Sequence, residues 1–240
     1  MTKVSSIKPS KIVAQDKVRP KVALFDLDYT LITADCTEHW LRLLLTRSIF
    51  RKVLVIALLP LIKLLTIFNV NLAKRNSVFL WAATVGLSKA KYLQLRDTAA
   101  RHLVQIKGLN TYREGLERIR WHQSQGHTII VVTGALRWLA RDVCRTLDIQ
   151  YDHLLGSSER NWGGGRVSDV FCYHQNKVNL LEQHNVLKNG KADYGYSDSA
   201  ADIPMLSVCK HIYIVNPKPK CQQQFEQALS TKATLLQWRE

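Results

Sequence analysis

Short apolar runs that each end in polar residues recur along the chain. Four occur: Val22 to Phe25 before Asp26, Thr128 to Val132 before Thr133 and Gly134, Tyr194 to Tyr196 before Ser197, and His211 to Val215 before Asn216. Runs of this length without polar alternation are typical of strands buried on both faces of a parallel sheet. They predict an α/β fold with a doubly wound parallel sheet. Ligands of such sheets bind beyond the carboxyl ends of the strands, so the polar residues after the runs are candidates for a functional site.

The first and second runs are separated by a long segment of mainly helical pattern, about ninety residues at 35–125, far more than one crossover needs. We therefore predict a core made of residues 21–34 and 126–240, with a helical cap inserted at 35–125. Residues 1–20 are polar and basic, with no apolar run of signal-peptide length, and are expected to form a flexible arm. Gly163 to Gly165 indicate a turn or hairpin within the core.

An apolar segment lies inside the predicted cap, at about residues 49–70. Its longest charge-free run, Val53 to Ile62, contains Pro60 and is about half of the roughly 20 residues that a spanning helix needs. Arginine and lysine flank the segment on both sides, and leucine and isoleucine occur on every face of the helical pattern. We therefore predict an apolar hairpin that lies in the headgroup region, or enters one leaflet, of an anionic membrane. A helix buried in the cap is the alternative interpretation.

The charge of the chain narrows the class of partner. A formal net charge of +15 at pH 7 predicts attraction to a phosphorylated substrate, a nucleic acid or an acidic lipid surface. The basic residues are spread over the arm, cap and core without zinc-finger spacing or an aromatic-basic strand pattern, so no nucleic acid partner is expected. Five single cysteines without a CxxC pair predict neither a disulfide framework nor a structural zinc site. No feature indicates an obligate protein partner.

Two carboxylates follow the first apolar run. Asp26 and Asp28 are two residues apart in an extended segment, so both can face one pocket. Two anions this close need a cation, and Mg2+ supplies one while it withdraws charge from a phosphoryl group. A turn rich in aspartate is the ordinary alternative for such a pair taken alone.

Other polar residues add to this pair. Thr133 and Gly134 offer a hydroxyl and a backbone N–H that can hold phosphoryl oxygens. Lys177 precedes a helical run, and Asp198 and Asp202 are four residues apart around the loop after the third apolar run. Each has an ordinary structural explanation on its own, as a helix cap, a solvated lysine or a turn. Their order and spacing make the set specific.

This ordered set resembles the four motifs of the haloacid dehalogenase-like superfamily, from about Val22 to Pro217. The resemblance implies a Rossmann-like hydrolase core and a Mg2+-dependent phosphoric monoester hydrolase. The catalytic residues that it implies are the nucleophile Asp26, the acid and base Asp28, and Lys177, which neutralises the nucleophile and the phosphoryl charge. The other roles that it implies are metal ligands (Asp26, Asp198 and the carbonyl of Asp28), substrate binding (Thr133, Gly134 and Asp35) and the orientation of Lys177 or a metal-bound water (Asp202).

Insertion of the cap between the first and second motifs further resembles the phosphoserine-phosphatase-like branch. Within it, the stretches LRLLLTRS, FLWAATVGLSKA and GYSDSAADIPML are similar to the phosphatidylglycerophosphatase C family of bacterial membrane-bound lipid phosphatases. That similarity implies a lipid phosphate substrate, phosphatidylglycerol phosphate, and a place on the cytoplasmic face of a bacterial inner membrane. The alternative is a soluble cytoplasmic phosphatase of a small phosphomonoester such as phosphoserine.

Two positions depart from the superfamily pattern. Glycine is usual where Tyr29 stands, and is frequent where His174 stands ahead of Lys177. Neither residue replaces a reacting group, so we expect the reaction type to be retained. Tyr29 can narrow the pocket or change the loop geometry.

Overall fold

The computed structural model describes residues 20–68, 72–187, 189–229 and 233–239, so the predicted flexible arm lies outside the described residues except for Pro20. The strands are β1 (Val22–Phe25), β2 (Thr128–Leu136), β3 (His153–Ser157), β4 (Glu159–Trp162), β5 (Gly165–Ser168), β6 (Ala192–Ser197), β7 (Cys209–Val215) and β8 (Ala233–Leu236). The helices are α1 (Cys36–Thr46), α2 (Ile49–Ile67), α3 (Leu72–Thr84), α4 (Lys89–Arg101), α5 (Arg113–Ser124), α6 (Arg137–Thr146), α7 (Gln175–Gln183), α8 (Ile203–Ser207) and α9 (Pro219–Leu229). Two short turns of other helix types lie at His102–Ile106 and Ala200–Asp202.

The centre of the molecule is a six-stranded parallel sheet with the order β3-β2-β1-β6-β7-β8. From β1 the chain adds β2 and β3 on one side, and β6, β7 and β8 on the other. The direction of winding therefore reverses between β1 and β6, and in open α/β sheets this reversal is where ligands bind. The predicted α/β fold with a doubly wound parallel sheet is confirmed.

Both faces of the sheet are covered, because successive residues of each central strand point to opposite faces. Ala23 and Phe25 of β1 lie in one buried cluster with residues of α5 and α6. Val22 and Leu24 lie in a second cluster with residues of α7, α8 and α9. All of β1 is buried, which explains why its sequence is a continuous apolar run instead of an alternating one.

Helices α1 to α4 are inserted between β1 and the rest of the sheet. Helix α1 is anchored to the core, because the Trp40 ring packs edge-on against Trp138 of α6 with centroids 5.1 Å apart. Helix α5 packs on the sheet instead, where the His122 ring meets Phe25 at 5.6 Å. The limits of core and cap stay a prediction, and this packing favours grouping α5 with the core.

A two-stranded antiparallel hairpin, β4–β5, branches from the core and holds α3. The Trp81 Nε1 donates to the Gly163 carbonyl at 3.0 Å, and the Arg166 amide donates to Thr84 Oγ1 at 2.8 Å. Gly163 and Gly164, both with positive φ, form the turn that the glycine run predicts. The hairpin therefore joins the inserted helices to the segment that leads to α7.

The apolar segment forms one helix, so the prediction of a hairpin within 49–70 is wrong over the part of that range that the structure describes, 49–68. Pro60 lies inside α2, and with neither glycine nor asparagine beside it the chain continues as a helix. No residue of α2 is buried, and large apolar side chains on several of its faces are exposed. Among the residues that the structure describes, no helix combines the length and apolar character needed to cross a membrane.

Candidate active site

Two carboxylates lie at the carboxyl ends of the neighbouring strands β1 and β6. Asp26 follows β1 directly and Asp198 follows β6 directly. The Asp26 amide donates to the Tyr196 carbonyl at 3.0 Å, so the pairing of the two strands continues into the site. Both aspartates are buried, at 6% exposure each. The reversal of the sheet therefore brings together two residues that are far apart in the chain.

A buried lysine bridges two of the predicted aspartates. Lys177, in the first turn of α7, places its Nζ 2.6 Å from Asp26 Oδ1 and 2.7 Å from Asp202 Oδ2. Ser197 Oγ donates to the same Asp202 oxygen at 2.7 Å. These are the contacts needed for Lys177 to neutralise Asp26 and for Asp202 to orient Lys177, and both roles stay predictions.

Thr30 links the two carboxylates that follow β1 and β6. Its Oγ1 lies 3.3 Å from Asp26 Oδ2 and 3.3 Å from Asp198 Oδ1, and it accepts a hydrogen bond from the Asp198 amide at 3.0 Å. Sequence reasoning missed Thr30 and Ser197. The available signal was that each hydroxyl residue stands within four positions of a predicted carboxylate.

Asp28 and Asp35 are held by the start of α1. Asp28 Oδ1 accepts from the Cys36 amide at 3.0 Å, and Asp35 Oδ1 accepts from the Glu38 amide at 2.7 Å as the N-cap of the helix. Burial raises the pKa of Asp28 well above its usual value, and the nearby charge of Asp35 raises it further. The raised pKa favours the protonated carboxyl group, which is the form that can donate a proton.

The buried cluster carries an excess of negative charge. Burial raises the pKa of Asp26 to about 7 against the attraction of Lys177. Burial, together with Asp202, raises the pKa of Asp198 to about 6. Burial alone would lower the pKa of Lys177, but attraction to Asp202 and Asp26 outweighs it and raises that pKa. The lysine therefore stays charged, while the carboxylates around it are short of a compensating cation.

The residues present fit the predicted Mg2+ ion by their chemistry. Within the described part of the chain, no group of three or more His, Cys, Asp or Glu side chains is arranged to hold a metal. The predicted ligand set needs only two such side chains, the carboxylates of Asp26 and Asp198, because its third member is the backbone carbonyl of Asp28. All are oxygen donors, the kind that Mg2+ prefers, and Thr30 lies 3.3 Å from an oxygen of each carboxylate.

The predicted phosphoryl-binding pair is divided between the protein interior and the cavity. Strand β2 runs on to Leu136 instead of ending at Val132, and Thr133 is fully buried, with its hydroxyl accepting from the Ala135 amide at 3.0 Å. Gly134 lines the cavity, and its carbonyl accepts from Ser157 Oγ at 2.7 Å. The substrate-binding roles of Thr133 and Gly134 stay predictions.

One cavity of about 690 Å³ contains the site. Its floor holds Asp26, Asp28, Lys177, Asp198 and Asp202, and Asp35 also lines it. The inserted helices supply an apolar wall, made of Leu41, Leu45, Val55, Phe79 and Leu80, and they also add polar residues to the lining, among them Glu38 and Arg42. The cavity therefore joins a charged floor to an apolar wall that includes one residue of α2.

Tyr29 and His174, which stand where the superfamily usually or frequently has glycine, both have a backbone conformation that favours glycine. Tyr29 has a φ of 59° and His174 a φ of 52°, in the left-handed region that side chains disfavour. The Tyr29 ring lines the cavity and lies 4.4 Å from Lys218 Nζ.

Comparison with known families accounts for this arrangement. The sequence model of the family described as haloacid dehalogenase-like hydrolase matches residues 23–207, from β1 to the end of α8. The chain belongs to this family. The resemblance implied by the four motifs is thereby confirmed, and the matched range holds every residue of the predicted site.

The individual proteins that resemble this haloacid dehalogenase-like hydrolase share a low sequence identity with it. A "probable phosphatase" of Mycobacterium tuberculosis is 24% identical over 201 residues, which cover 81% of this chain and 68% of that protein. A protein of unknown function from Bordetella pertussis Tohama I shares the fold, with a TM-score of 0.68 and 20% identity over 89% of this chain and 97% of that one. A substrate-bound phosphoserine phosphatase has a TM-score of 0.57 and 15% identity, covering 86% and 90% of the two chains.

Proposed function

We propose that this phosphoric monoester hydrolase of the haloacid dehalogenase-like family acts through an aspartyl-phosphate formed on Asp26. The observation that carries the proposal is the pairing of a buried carboxylate with a buried lysine at the switch point of the sheet, with Lys177 Nζ 2.6 Å from Asp26 Oδ1. The lysine limits repulsion between Asp26 and an incoming phosphate, so that the carboxylate can approach phosphorus.

Asp28 carries the proton in both steps. In the first step an Asp26 oxygen forms a bond to phosphorus while the bond to the leaving oxygen breaks, and Asp28 gives its proton to that oxygen. In the second step Asp28 takes a proton from water as the water attacks the aspartyl-phosphate, which releases phosphate and restores both carboxyl groups. The raised pKa of Asp28 supports this role, because the first step needs its protonated form.

A Mg2+ ion would be held by Asp26, Asp198 and the carbonyl of Asp28. When bound it supplies charge that stabilises the phosphoryl group during transfer. Thr30 fixes both carboxylates through its hydroxyl, and Thr133 and Gly134, in the second half of β2, are the residues expected to hold the phosphoryl oxygens.

Two classes of substrate are supported by separate observations. The comparisons favour a small phosphomonoester, because a phosphoserine phosphatase shares the fold over most of both chains. A small polar ester also suits the polar residues that line the cavity beside the predicted catalytic set, which include Asp35, Glu38 and Arg42.

A lipid phosphate, phosphatidylglycerol phosphate, is the second candidate. The apolar wall of the cavity and the exposed α2 favour it, because an acyl chain needs apolar surface outside the catalytic floor. Helix α2 contains no acidic residue, and Arg51, Lys52 and Lys63 lie within it. Such a helix can rest on acidic lipid with its apolar side chains in the headgroup region. The enzyme would then work at the cytoplasmic face of a bacterial inner membrane.

The reaction is tested by phosphate release from phosphoserine, p-nitrophenyl phosphate and phosphatidylglycerol phosphate in detergent micelles, with Mg2+ and with EDTA. Asp26→Asn is expected to lower turnover by a factor on the order of 10⁴ or more on every substrate that the wild type cleaves. Near-normal turnover by this variant would remove the nucleophile assignment. Preference for the small ester or for the lipid then decides between the two substrate classes.

Vesicle binding tests the role proposed for α2 separately from catalysis. Phe50, Val53 and Ile56 are 66%, 59% and 65% exposed, and changing all three to Gln should abolish sedimentation with phosphatidylglycerol-rich vesicles. The matched control is Leu235→Gln, because Leu235 is 61% exposed on β8, away from the inserted helices. Equal sedimentation of the triple variant and the control would argue against a membrane surface as the partner of α2.

A further inference from the structure

Three basic side chains of the described residues line the cavity, and two of them are already paired. Lys177 lies between Asp26 and Asp202, and Arg42 binds Glu38 through Nε at 2.8 Å. The third is Lys218, which follows the end of β7 and directly precedes α9. Within the described part of the chain, the Lys218 ammonium makes no ion pair with a carboxylate.

Tyr29 holds this lysine at the cavity wall. Lys218 Nζ lies 4.4 Å from the centroid of the Tyr29 ring, within the range of a cation–π contact. Tyr29 follows the proton carrier Asp28 in the chain, and its φ of 59° turns the backbone into the left-handed region. The ring thus joins the loop after β1 to the loop after β7, and it sets a positive charge beside the catalytic floor.

The surroundings of Lys218 are otherwise acidic. The carboxylates that line the cavity are Asp26, Asp28, Asp35, Glu38, Asp198 and Asp202. A leaving group with its own negative charge would be repelled by this excess of carboxylates unless a cation faced it. Burial raises the pKa of Asp198 and attraction to Lys218 opposes that rise, but among the described residues Lys218 is the lining cation without a direct ion pair to a carboxylate.

We propose that Lys218, held on the Tyr29 ring, binds an anionic group on the leaving group of the substrate. The substrate class is then a phosphomonoester that carries a second negative charge near its phosphoryl group. A carboxylate of a small acid and the phosphodiester of a lipid headgroup both meet this requirement. The inference rests on the proposed hydrolysis of phosphomonoesters and adds a selection for charge.

The test compares esters that differ in this one charge. 3-Phosphoglycerate and glycerol 3-phosphate share a carbon skeleton and differ in a carboxylate against a hydroxymethyl group, and short-chain phosphatidylglycerol phosphate supplies the phosphodiester. Lys218→Met removes the charge and keeps most of the side-chain length. We expect about a tenfold fall in kcat/KM for esters with the second anion, mainly through KM, and less than about twofold for glycerol 3-phosphate. The ester with the larger fall identifies the source of the anion.

Two further variants separate the charge from its support. Lys218→Arg should keep most of the preference for esters with the second anion. Tyr29→Leu should weaken that preference by about two- to fivefold, because the cation–π contact is lost while the lysine stays. Lys220→Met is the matched control, since Lys220 is an exposed lysine of α9 that does not line the cavity. Equal losses on charged and neutral esters in Lys218→Met, or no loss on either, would overturn the proposal.

Binding to a turnover-deficient enzyme keeps the subsite and the reaction distinguishable. In the Asp26→Asn background, calorimetry should find 3-phosphoglycerate bound about tenfold more tightly than glycerol 3-phosphate, and Lys218→Met should remove the difference. Selective binding without turnover by the wild type would support the subsite and reject the proposed hydrolysis. Turnover without any preference for charge, in binding or in kcat/KM, would reject the subsite alone.

Discussion

Asp26 is buried and Asp28 is half-buried in the same loop, and the two aspartates have different partners. Asp26 faces the ammonium of Lys177, whereas Asp28 faces a backbone amide, that of Cys36. Attraction to Lys177 favours the ionised form of Asp26 against the burial that raises its pKa to about 7, and the ionised form is the one a nucleophile needs. The Cys36 amide favours the ionised form of Asp28, but burial and the charge of Asp35 outweigh it and raise the pKa, which favours the protonated form and suits an acid.

This difference predicts how the loss of Asp28 depends on the leaving group. Asp28→Asn should lower kcat/KM for alkyl phosphates by on the order of 10²–10⁴, because an alkoxide leaves poorly without a proton. The loss should be much smaller for p-nitrophenyl phosphate, whose phenolate needs no protonation to depart. Both esters are assayed side by side, and equal losses on the two would contradict the acid role.

Thr30 gives a second prediction at this scale. Thr30→Val keeps the shape of the side chain but removes the acceptor of the Asp198 amide and the donor near Asp26 and Asp198. Activity should fall by about 10- to 100-fold because the carboxylates lose their alignment. Unfolding free energy should fall by about 1–3 kcal/mol because a buried amide loses its partner.

The control for this change is Thr30→Ser, which keeps the hydroxyl. It should retain most of the activity, measured as kcat/KM with thermal unfolding alongside. If Thr30→Val behaved like Thr30→Ser, the hydroxyl would have no positioning role.

The acidic residues of the site were predicted from the sequence, whereas their hydroxyl partners were missed. Asp26, Asp28 and Asp198 can be identified because they come shortly after apolar runs, and the order of the motifs along the chain makes the set specific. Thr30 acts on Asp198 across 168 residues of sequence, a contact that only the pairing of β1 with β6 creates. Lys218 is likewise linked to Tyr29 by the sheet and by no local pattern.

At the scale of elements, the hairpin β4–β5 fixes the inserted helices above the site. Gly165 lies so close to α3 that an added Cβ would stand 2.7 Å from Trp81 Cδ1 and 3.0 Å from the Trp81 carbonyl oxygen. The residues that follow the hairpin, Phe171 and Tyr173, line the cavity. The contact between hairpin and helix therefore bears on the shape of the cavity.

Gly165→Ala should consequently destabilise the protein and weaken substrate binding. Overpacking of this kind costs about 1–3 kcal/mol, or roughly 2–10 °C in Tm for a chain of this size. KM should rise more than kcat falls, since no reacting group moves. Asn161→Ala, an exposed change in the same hairpin, serves as the control. A Tm equal to that of the control would mean that α3 tolerates the shift.

The strands found by sequence reasoning and those missed differ in composition. Strands β1, β2, β6 and β7 have buried runs, whereas β3 contains only two large apolar residues, and β4 is mostly exposed and polar. The interpretation of α2 as a hairpin gave too much weight to Pro60, because one missing hydrogen bond does not end a helix of 19 residues rich in leucine and isoleucine.

The chain as a whole is positively charged, whereas the cavity that contains the site carries an excess of negative charge. The chain has a net charge of +15 from 34 basic and 19 acidic residues. The cavity has the reverse balance, with six carboxylates and three basic side chains among the described residues that line it. The basic exterior attracts anionic substrates or lipid, while the cavity needs a further cation before a phosphate can approach its floor.

This imbalance predicts that Mg2+ stabilises the folded protein. An ion that binds only the folded state at 100 times its Kd adds about 2.7 kcal/mol, which corresponds to roughly 5–10 °C in Tm. Asp198→Asn should remove most of that rise, because a proposed ligand is lost.

Without Mg2+ the same variant should melt at or above the wild-type Tm. Burial raises the pKa of Asp198 to about 6, and the substitution removes a charge that burial disfavours. Asp97→Asn, an exposed change in α4, should leave both values unaltered. If Asp198→Asn kept the full rise, the ion would be bound elsewhere, and the acidic floor would need another source of positive charge.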